Sequence, residues 1–375
     1  MNVAMQRSSL GATPGDAKQH NRALIMRTLY TTGPASRADI ARSTGLTKVT
    51  VSGLVAELIS QGLLHELGQQ ELQRPGKPAI LVDIARDAHA VLCLDLSNHE
   101  RFRGALLDLN GNVLEKRDAE RAGATGDAAV SLAIELALEL QPMSPLPLLG
   151  IGVGTPGVVD DRGIVRTAPN FGWTSVPLQR LLSERTGVPT FVANDANASA
   201  LAEYSFGDTS EDFILITIGQ GVGSGLILDG HPVTGSSFAS GEIGQVMVGT
   251  DLGIDAPYSR EQVLEHWLSV PALTRALAEA GDAAEDRERV LSEAGRRLGI
   301  ALAPVVGVLN LAGVVLAGPA ELLEGTLANA TLDMLSRRTM PDSHDGLDLH
   351  ISAQGEELVL RGALATVLKQ QLGVT

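Results

Sequence analysis

The chain has little cysteine and few aromatic residues. Its 375 residues include a single cysteine, Cys93, and aromatic side chains make up 3% of the total. One thiol excludes an internal disulfide and a cysteine-rich zinc site, which favours a protein of the reducing cytoplasm. Because Cys93 lies in an apolar, strand-like run, we expect it to pack in the core.

Long hydrophobic runs are also missing. The apolar runs are short and are interrupted by glycine, proline or charge, which excludes a membrane-spanning helix. Residues 1–19 lack the hydrophobic region of a signal peptide and are predicted to be a disordered N-terminal segment. The hydrophobic content of 44% is enough for a sizeable core, and the length indicates two or three domains.

Positive charge is scarce outside the N-terminal region. The formal net charge is −15, from 29 Lys and Arg against 44 Asp and Glu. Residues 1–80 nevertheless carry nine basic and five acidic side chains, a net charge of +4, so the rest of the chain has a net charge of −19. A basic head on an acidic body suggests that only the head meets nucleic acid.

Residues 20–84 have the pattern of three helices followed by two strands. The spacing of apolar residues predicts helices over 21–30, 37–44 and 47–61. This order is typical of a helix-turn-helix, which places the N-terminal end of its last helix in the DNA major groove. An ordinary three-helix bundle has the same apolar pattern and is the alternative.

Two local signals define the second and third helices. Ser36 lies three residues before Asp39, which is a capping-box-like helix start, and Thr47 is the expected cap of the third helix. One face of the third helix is predicted to pack in the core: Val51, Leu54, Val55 and Leu58.

The stretch from Ala38 to Ser52 resembles the winged helix-turn-helix heads of bacterial repressors. A wing is predicted from strands over 63–67 and 79–84, joined by a basic segment, residues 73–78, that could lie along the minor groove or the phosphates. A plain solvated loop is the alternative for this segment. The predicted DNA-binding residues are Ser36, Arg37, Thr47, Lys48, Thr50, Ser52, Arg74 and Lys77.

From Ala90 onwards, strand and helix patterns alternate, which predicts an α/β body. One apolar strand of this body, beginning at Phe191, ends on three polar residues just before a small-residue helix pattern: Asn194, Asp195 and Asn197. Polar groups at the carboxyl end of a strand lie in the crevice where open α/β sheets bind ligands. Alternatively, Asp195 or Asn197 caps the following helix.

Three loops of the body occur in a distinctive order. Gly154-Thr155-Pro156-Gly157 comes first, the segment around Asp195 follows, and a glycine-rich turn at 217–230 precedes Gly241-Glu242-Ile243-Gly244. This series resembles the ROK family of repressors, open reading frames and sugar kinases. The resemblance implies that residues 85–375 form an actin/hexokinase-like (ASKHA) domain, with two α/β lobes and a cleft, that binds sugar and forms dimers.

The resemblance also implies which residues bind the sugar. Carboxylates and side-chain amides suit a ring of hydroxyl groups because they can accept from and donate to adjacent hydroxyls. In the kinase members, the residue that matches Asp195 is the general base that takes the proton from the attacked hydroxyl. The sugar-binding residues carried over by position are Asn170, Asn194, Asp195, Glu242, Gln245 and Glu265.

Two departures from the family pattern bear on function. The kinases have a D-x-G-G-T phosphate loop, but here the same place reads Asp95-Leu96-Ser97-Asn98-His99-Glu100, without either glycine. The family's usual zinc site has a His after G-E-I-G and then a cysteine-rich cluster, whereas this chain has Gln245 and no cysteine in residues 249–263. We therefore expect neither ATP binding nor zinc binding by these routes.

The sequence thus predicts a sugar-responsive transcriptional regulator, a repressor of carbohydrate genes, that is not an enzyme and needs no cofactor. Its expected partners are operator DNA, a sugar or sugar phosphate, and a second copy in a homodimer or tetramer, in the cytoplasm and without a membrane. One alternative is an ATP-dependent sugar kinase with an accessory DNA-binding head. Another is a constitutive DNA-binding protein whose cleft is vestigial.

Overall fold

The computed structural model describes residues 14–69, 80–249, 255–281 and 283–374. The chain divides into two compact units, one formed by the residues up to His89 together with Leu368–Val374, and the other by Ala90–Val367. The end of the chain joins the first unit, where Gly373 packs against Ala23. Among the described residues, no helix is long and apolar enough to cross a membrane.

The first unit contains three helices and a small antiparallel sheet of order β1-β3-β2. Its elements are α1 Pro14–Thr32, β1 Ala35–Ser36, α2 Arg37–Thr44, α3 Lys48–Ser60, β2 Leu64–Gln69 and β3 Ile80–Ile84. Helix α1 begins at Pro14, so residues 14–19 are helical and the prediction of disorder over them is wrong. Proline suits the first turn of a helix because its missing N–H would have no partner there. Residues 1–13 lie outside the described part of the chain.

Helices α2 and α3 begin and end where the sequence predicts. The Ser36 hydroxyl accepts a hydrogen bond from the backbone N–H of Asp39 at 3.2 Å. The Thr47 hydroxyl likewise accepts from the backbone N–H of Thr50 at 3.1 Å. Gly45, with φ of 72°, ends α2 in the left-handed conformation that glycine adopts most readily. The predicted core face of α3 is buried.

The first lobe of the second unit is built on a five-stranded sheet of order β11-β7-β4-β5-β6. A small antiparallel sheet of three short strands, β8, β9 and β10, follows β7 in the chain. The elements are β4 Ala90–Asp95, β5 Arg101–Asp108, β6 Val113–Glu120, α4 Gly126–Leu140, β7 Leu148–Thr155, β8 Val158–Val159, β9 Val165–Ala168, β10 Trp173–Val176, α5 Leu178–Thr186 and β11 Thr190–Asn194. Cys93 is fully buried in β4, as predicted.

The second lobe is built on another five-stranded sheet, of order β14-β13-β12-β15-β16. Each lobe has its own cluster of buried apolar side chains, as expected of two layered α/β units. The remaining elements of the second unit are α6 Asp195–Phe206, β12 Phe213–Ile218, β13 Val222–Leu228, β14 His231–Pro232, α7 Leu264–Leu268, α8 Val270–Ala280, α9 Ala284–Leu309, β15 Gly313–Ala317, α10 Ala320–Leu323, α11 Thr326–Arg338, α12 Pro341–His344, β16 Asp348–Ile351 and α13 Leu358–Leu372.

Helix α13 approaches α6 closely within the second unit. A side chain at Gly362 would overlap the backbone carbonyl of Ala198 in α6. Glycine at this position therefore lets the two helix backbones pack directly against each other. This packing supports α6, whose first residue is Asp195.

Candidate functional site

Three strand ends of the first lobe meet at one edge of its sheet. Parallel pairing places Asn194 opposite Thr155, and Asp95 at the end of β4 pairs with Gly154. The carboxyl ends of parallel strands form the ligand crevice of open α/β sheets. Asp95 and Asp195 consequently lie close enough for their charges to interact.

Asn194, rather than Asp195 or Asn197, caps helix α6. Its Oδ1 accepts from the backbone N–H of Asn197 at 3.0 Å, and its Nδ2 donates to the Gly157 carbonyl and to Asp195 Oδ1, both at 3.0 Å. The capping alternative therefore applies to a different residue from the two that the sequence suggested. Asp195 follows as the first helical residue, because the helix begins earlier than its small-residue segment.

The two carboxylate oxygens of Asp195 differ in their hydrogen bonds. Oδ1 accepts from the backbone N–H of Ala196 at 2.9 Å and from Asn194. Within the described part of the chain, Oδ2 makes no hydrogen bond of its own, and the side chain is half-buried. Burial, together with the nearby carboxylates of Asp95 and Glu242, raises the pKa of Asp195 to about 6.

The raised pKa of Asp195 predicts a pH-dependent cost in stability. A carboxyl whose pKa is about 6 in the folded protein, against 3.8 as its model value, binds its proton more tightly in the folded state. Wild-type stability should therefore rise as pH falls from above 6 towards 3.8. We expect Asp195→Asn to be more stable than wild type by about 2 to 3 kcal/mol at pH 7.5.

Chemical denaturation of both proteins at several pH values measures this difference. The advantage of Asp195→Asn should shrink steadily below pH 6, because the wild-type carboxyl is then neutral as well. A difference in free energy of unfolding that does not vary between pH 7.5 and pH 4.5 would contradict the raised pKa.

Side chains at the end of β4 and in the loop that follows it accept hydrogen bonds from backbone N–H groups of the same region. Asp95 Oδ1 accepts from the N–H of Ser97 at 2.8 Å and from its hydroxyl at 2.6 Å. Asn98 Oδ1 accepts from the N–H groups of Glu100 at 2.8 Å and Arg101 at 3.2 Å. Three N–H groups of this loop thus already have side-chain acceptors, whereas a phosphate loop presents such groups to its ligand.

The same loop also contacts Asn170. The Nδ2 atom of Asn170 lies 3.3 Å from His99 Nε2, and its backbone carbonyl accepts from the guanidinium of Arg121 at 2.8 Å. Arg121 is 7% exposed and covers the ring of Phe171 at 4.5 Å. Sequence reasoning did not identify His99 or Arg121 as site residues, because neither has a local motif and only the fold brings them to Asn170.

The second lobe contributes Glu242 and Glu265. Glu242 lies in a loop that packs directly on β13: a side chain at Gly241, whose φ is 96°, would overlap the carbonyl of Ser224. Glu265, on α7, accepts from the N–H of Val222 at 3.0 Å through Oε2. Burial and the neighbouring Glu265 raise the pKa of Glu242. The carboxylate of Glu242 also lies near enough to Asp195 to raise the pKa of that residue.

Gln245 lies beside Glu265. Its Nε2 is 3.5 Å from Glu265 Oε1, and its Oε1 accepts from the hydroxyl of Tyr258 at 3.0 Å. Tyr258 is a further residue that sequence reasoning missed, since nothing local links it to residue 245.

The predicted DNA-binding residues differ in the burial and the hydrogen bonds of their side chains. Ser36 is buried and its hydroxyl also donates to Asp39 at 2.6 Å, so it serves as a cap and is not exposed for contact with DNA. The hydroxyls of Thr47 and Thr50 lie 2.8 Å apart, and Arg37 pairs with Glu66 at 2.8 Å.

The first turns of α3 present an exposed surface. Lys48 and Ser52 are exposed, and Val49, which the sequence did not single out, is 83% exposed. Arg74 and Lys77 lie outside the described residues. The exposed part of α3 therefore carries a cation and a hydroxyl from the predicted set.

Comparisons with known proteins agree with these two regions. The pattern that defines the ROK family matches residues 91–370. A xylose repressor from Caldicellulosiruptor bescii is 25% identical over 95% of this chain and 97% of its own length. A crystal structure of a ROK family transcriptional regulator, a homologue of the Escherichia coli Mlc protein, superposes with a TM-score of 0.82 at 24% identity, covering 95% of this chain and 98% of that one.

A kinase of the family matches a smaller share of the chain. A ROK hexokinase from Thermus thermophilus has a TM-score of 0.61 and 28% identity, and covers 75% of this chain and 99% of its own. The regulators therefore match nearly the whole chain, whereas this kinase matches about three quarters of it. Because the family pattern spans most of the sequence, the resemblance drawn from the three loops is confirmed, and the chain belongs to the ROK family.

Proposed function

We propose that the protein is a sugar-responsive DNA-binding transcriptional repressor. Its first unit is a winged helix-turn-helix that binds an operator, and its second unit binds a sugar in the cleft. The observation that carries this proposal is the acidic site around Asp195 and Glu242, which lies beside a loop that already uses its own backbone N–H groups. The relatives named xylose repressor and the Mlc-like regulator, which match the head as well as the body, support it.

The first unit suits DNA binding through α3. Helices α2 and α3 are joined by a tight turn at Gly45, and the exposed start of α3 carries Lys48. Recognition helices contact base edges with their N-terminal residues, and lysine side chains contact phosphates. A homodimer would place two such helices on a roughly palindromic operator.

The site suits a neutral sugar better than a sugar phosphate. Asp195 Oδ2 can accept from a hydroxyl, and the amide of Asn170 can donate to one. Four carboxylates surround this region and would repel a phosphate: Asp95, Asp195, Glu242 and Glu265. We therefore propose an aldose or an N-acetylated aldose as the effector, with D-xylose as the first candidate because of the xylose repressors among the relatives.

Kinase activity is not part of this proposal. ATP phosphates need backbone N–H groups and a loop that approaches closely. In this chain the side chains of Asp95 and Asn98 accept hydrogen bonds from three backbone N–H groups after β4. The carboxylate of Asp95, which is 4% exposed, also adds negative charge at this end of β4.

Fluorescence anisotropy with DNA from upstream of the protein's own gene tests the proposal. It should be measured at one fixed salt concentration, since affinity for DNA depends strongly on salt. D-xylose, D-glucose and N-acetyl-D-glucosamine are then added, each with its 6-phosphate or 5-phosphate as the charged control. We expect specific binding that one neutral sugar changes and that its phosphate does not.

Two other outcomes would replace the proposal. Specific DNA binding that none of the sugars changes would favour a constitutive DNA-binding protein. Absence of specific binding, together with ATP-dependent phosphorylation of a sugar in a coupled ADP-release assay, would identify a kinase.

A further inference from the structure

The segment that follows Gln245 does not fit the zinc site that the family resemblance implies. Among the described residues, no group of three or more His, Cys, Asp or Glu side chains could hold a metal ion. Position 245 carries an amide in place of an imidazole, and Tyr258 already donates to its oxygen at 3.0 Å. Amide oxygen is a poor zinc ligand compared with thiolate or imidazole.

Hydrogen bonds hold the described residues on the two sides of this segment. Its two ends pair through backbone bonds from Val248 to Gln262 at 2.8 Å and from Leu264 to Val246 at 2.9 Å. From the core side, the buried guanidinium of Arg297 donates to the Val248 carbonyl at 3.0 Å.

Arg297 also links this segment to α7. Its guanidinium stacks on Trp267 with 3.6 Å between the Cζ atom and the ring centroid, and it is 7% exposed. Trp267 lies two residues after Glu265 on the same helix. The segment and the helix that carries Glu265 are therefore packed together on the side facing the core.

On the solvent side, one chain of side-chain contacts reaches the acidic site. The Tyr258 hydroxyl donates to Gln245 Oε1, which orients the amide so that Nε2 faces Glu265 Oε1 at 3.5 Å. The opposite amide orientation would place two oxygens against each other and is unfavourable. Glu265 Oε2 is held separately by the N–H of Val222 at 3.0 Å.

Tyr258 is placed for this contact and not for core packing. Its side chain is 60% exposed, so the ring contributes little buried apolar surface. Its hydroxyl nevertheless donates to the amide of Gln245, which lies beside Glu265. This geometry restrains the conformation of the Gln245 side chain.

We propose that Tyr258 is a positioning residue of the effector site: it orients Gln245 and thereby Glu265. The inference rests on the proposed function, because it requires that a sugar binds at the acidic site. Tyr258 itself need not touch the sugar. Its effect is to hold the amide of Gln245, a donor, and the carboxylate of Glu265, an acceptor, in the orientation in which they bind the hydroxyl groups of the sugar.

Isothermal titration calorimetry with D-xylose, D-glucose and N-acetyl-D-glucosamine tests the inference in the full-length protein. Tyr258→Phe removes only the hydroxyl, Gln245→Met removes the amide at similar size, and the double variant combines them. We expect each single variant to weaken the affinity for the bound sugar by about 3- to 10-fold, as for one hydrogen bond. The double variant should be no weaker than the weaker single variant, because the two residues act in series.

Two controls separate positioning from general damage. Ser259→Ala removes a hydroxyl from the same segment, which accepts from the N–H of Glu261 at 3.3 Å, and should leave sugar affinity unchanged. Wild-type protein dialysed against EDTA should bind sugar as tightly as before. The melting temperature of Tyr258→Phe should equal that of wild type, since the ring remains.

Three results would overturn the inference. They are an unchanged sugar affinity in Tyr258→Phe, effects of the two single variants that multiply in the double variant, and a loss of affinity on chelation that zinc restores. In each of these cases wild-type protein still binds sugar and Asp195→Ala does not, so the proposed function stands. Absence of sugar binding by wild-type protein would instead overturn both.

Discussion

Replacing Asp195 by alanine is expected to abolish the response of operator binding to sugar. Oδ2 of this residue is the carboxylate oxygen left for a ligand at the start of α6, and Glu242 of the other lobe lies within electrostatic reach. Loss of a hydrogen bond to a charged acceptor corresponds to a loss of about 10- to 100-fold in affinity. Calorimetric sugar titration and operator anisotropy, each on the same preparation, measure the effect.

The matched control for this variant is Asp161→Ala. Asp161 is an exposed carboxylate of the same lobe and should leave the sugar response as it is in wild type. The affinity of wild-type protein for sugar should also fall as pH drops below about 6, because the carboxyl of Asp195 then becomes neutral and accepts more weakly. If Asp195→Ala keeps both its melting temperature and its sugar response, the site lies elsewhere.

Replacing Lys48 by glutamate is expected to remove most of the operator affinity. Lys48 is the first residue of α3 and is exposed. A lysine that contacts a phosphate contributes about one unit to the dependence of log K on log salt, so Lys48→Ala should bind roughly 10-fold more weakly and with a shallower salt dependence. The glutamate adds repulsion, and we expect about a 100-fold loss at physiological salt.

Arg275→Glu provides the charge-matched control for Lys48. Arg275 is exposed on α8 in the second unit, so its reversal changes the net charge equally without altering α3. Equal losses of affinity in both variants would indicate a response to net charge alone and would contradict a role for α3. Anisotropy over a series of salt concentrations, with sugar titration as a check of the second unit, distinguishes the two cases.

Local signals account for what could be predicted in the first unit. Each of these signals involves only a few neighbouring residues. They are a serine three residues before an aspartate, a glycine that adopts a left-handed conformation and an apolar stripe at helical spacing. These signals place α2 and α3 correctly because each helix end satisfies its free N–H groups with a neighbouring side chain. The helical start at Pro14 lacks an apolar signal, since residues 17–20 are exposed, and it was missed.

In the second unit, the order of three loops was enough to identify the family, and with it the fold and the candidate sugar residues. Glycines that allow a close backbone approach, and polar residues at strand ends, can be located from the order of residues along the chain. Locating them does not require knowledge of contacts between distant residues. The identity of the helix cap was not predictable in the same way. Asn194 and Asp195 are both good caps, and only the backbone geometry at the end of β11 assigns the role to Asn194.

By itself, the sequence determined the α/β class, the caps of α2 and α3 and the family. The tertiary structure alone decided which side chains meet: His99 and Arg121 at Asn170, Tyr258 at Gln245, and the last residues of the chain against α1. The physical reason is the range of the interactions involved. Caps, turns and periodicity act over a few residues, whereas contacts between residues 13 to 71 or more positions apart depend on how the sheets and helices pack.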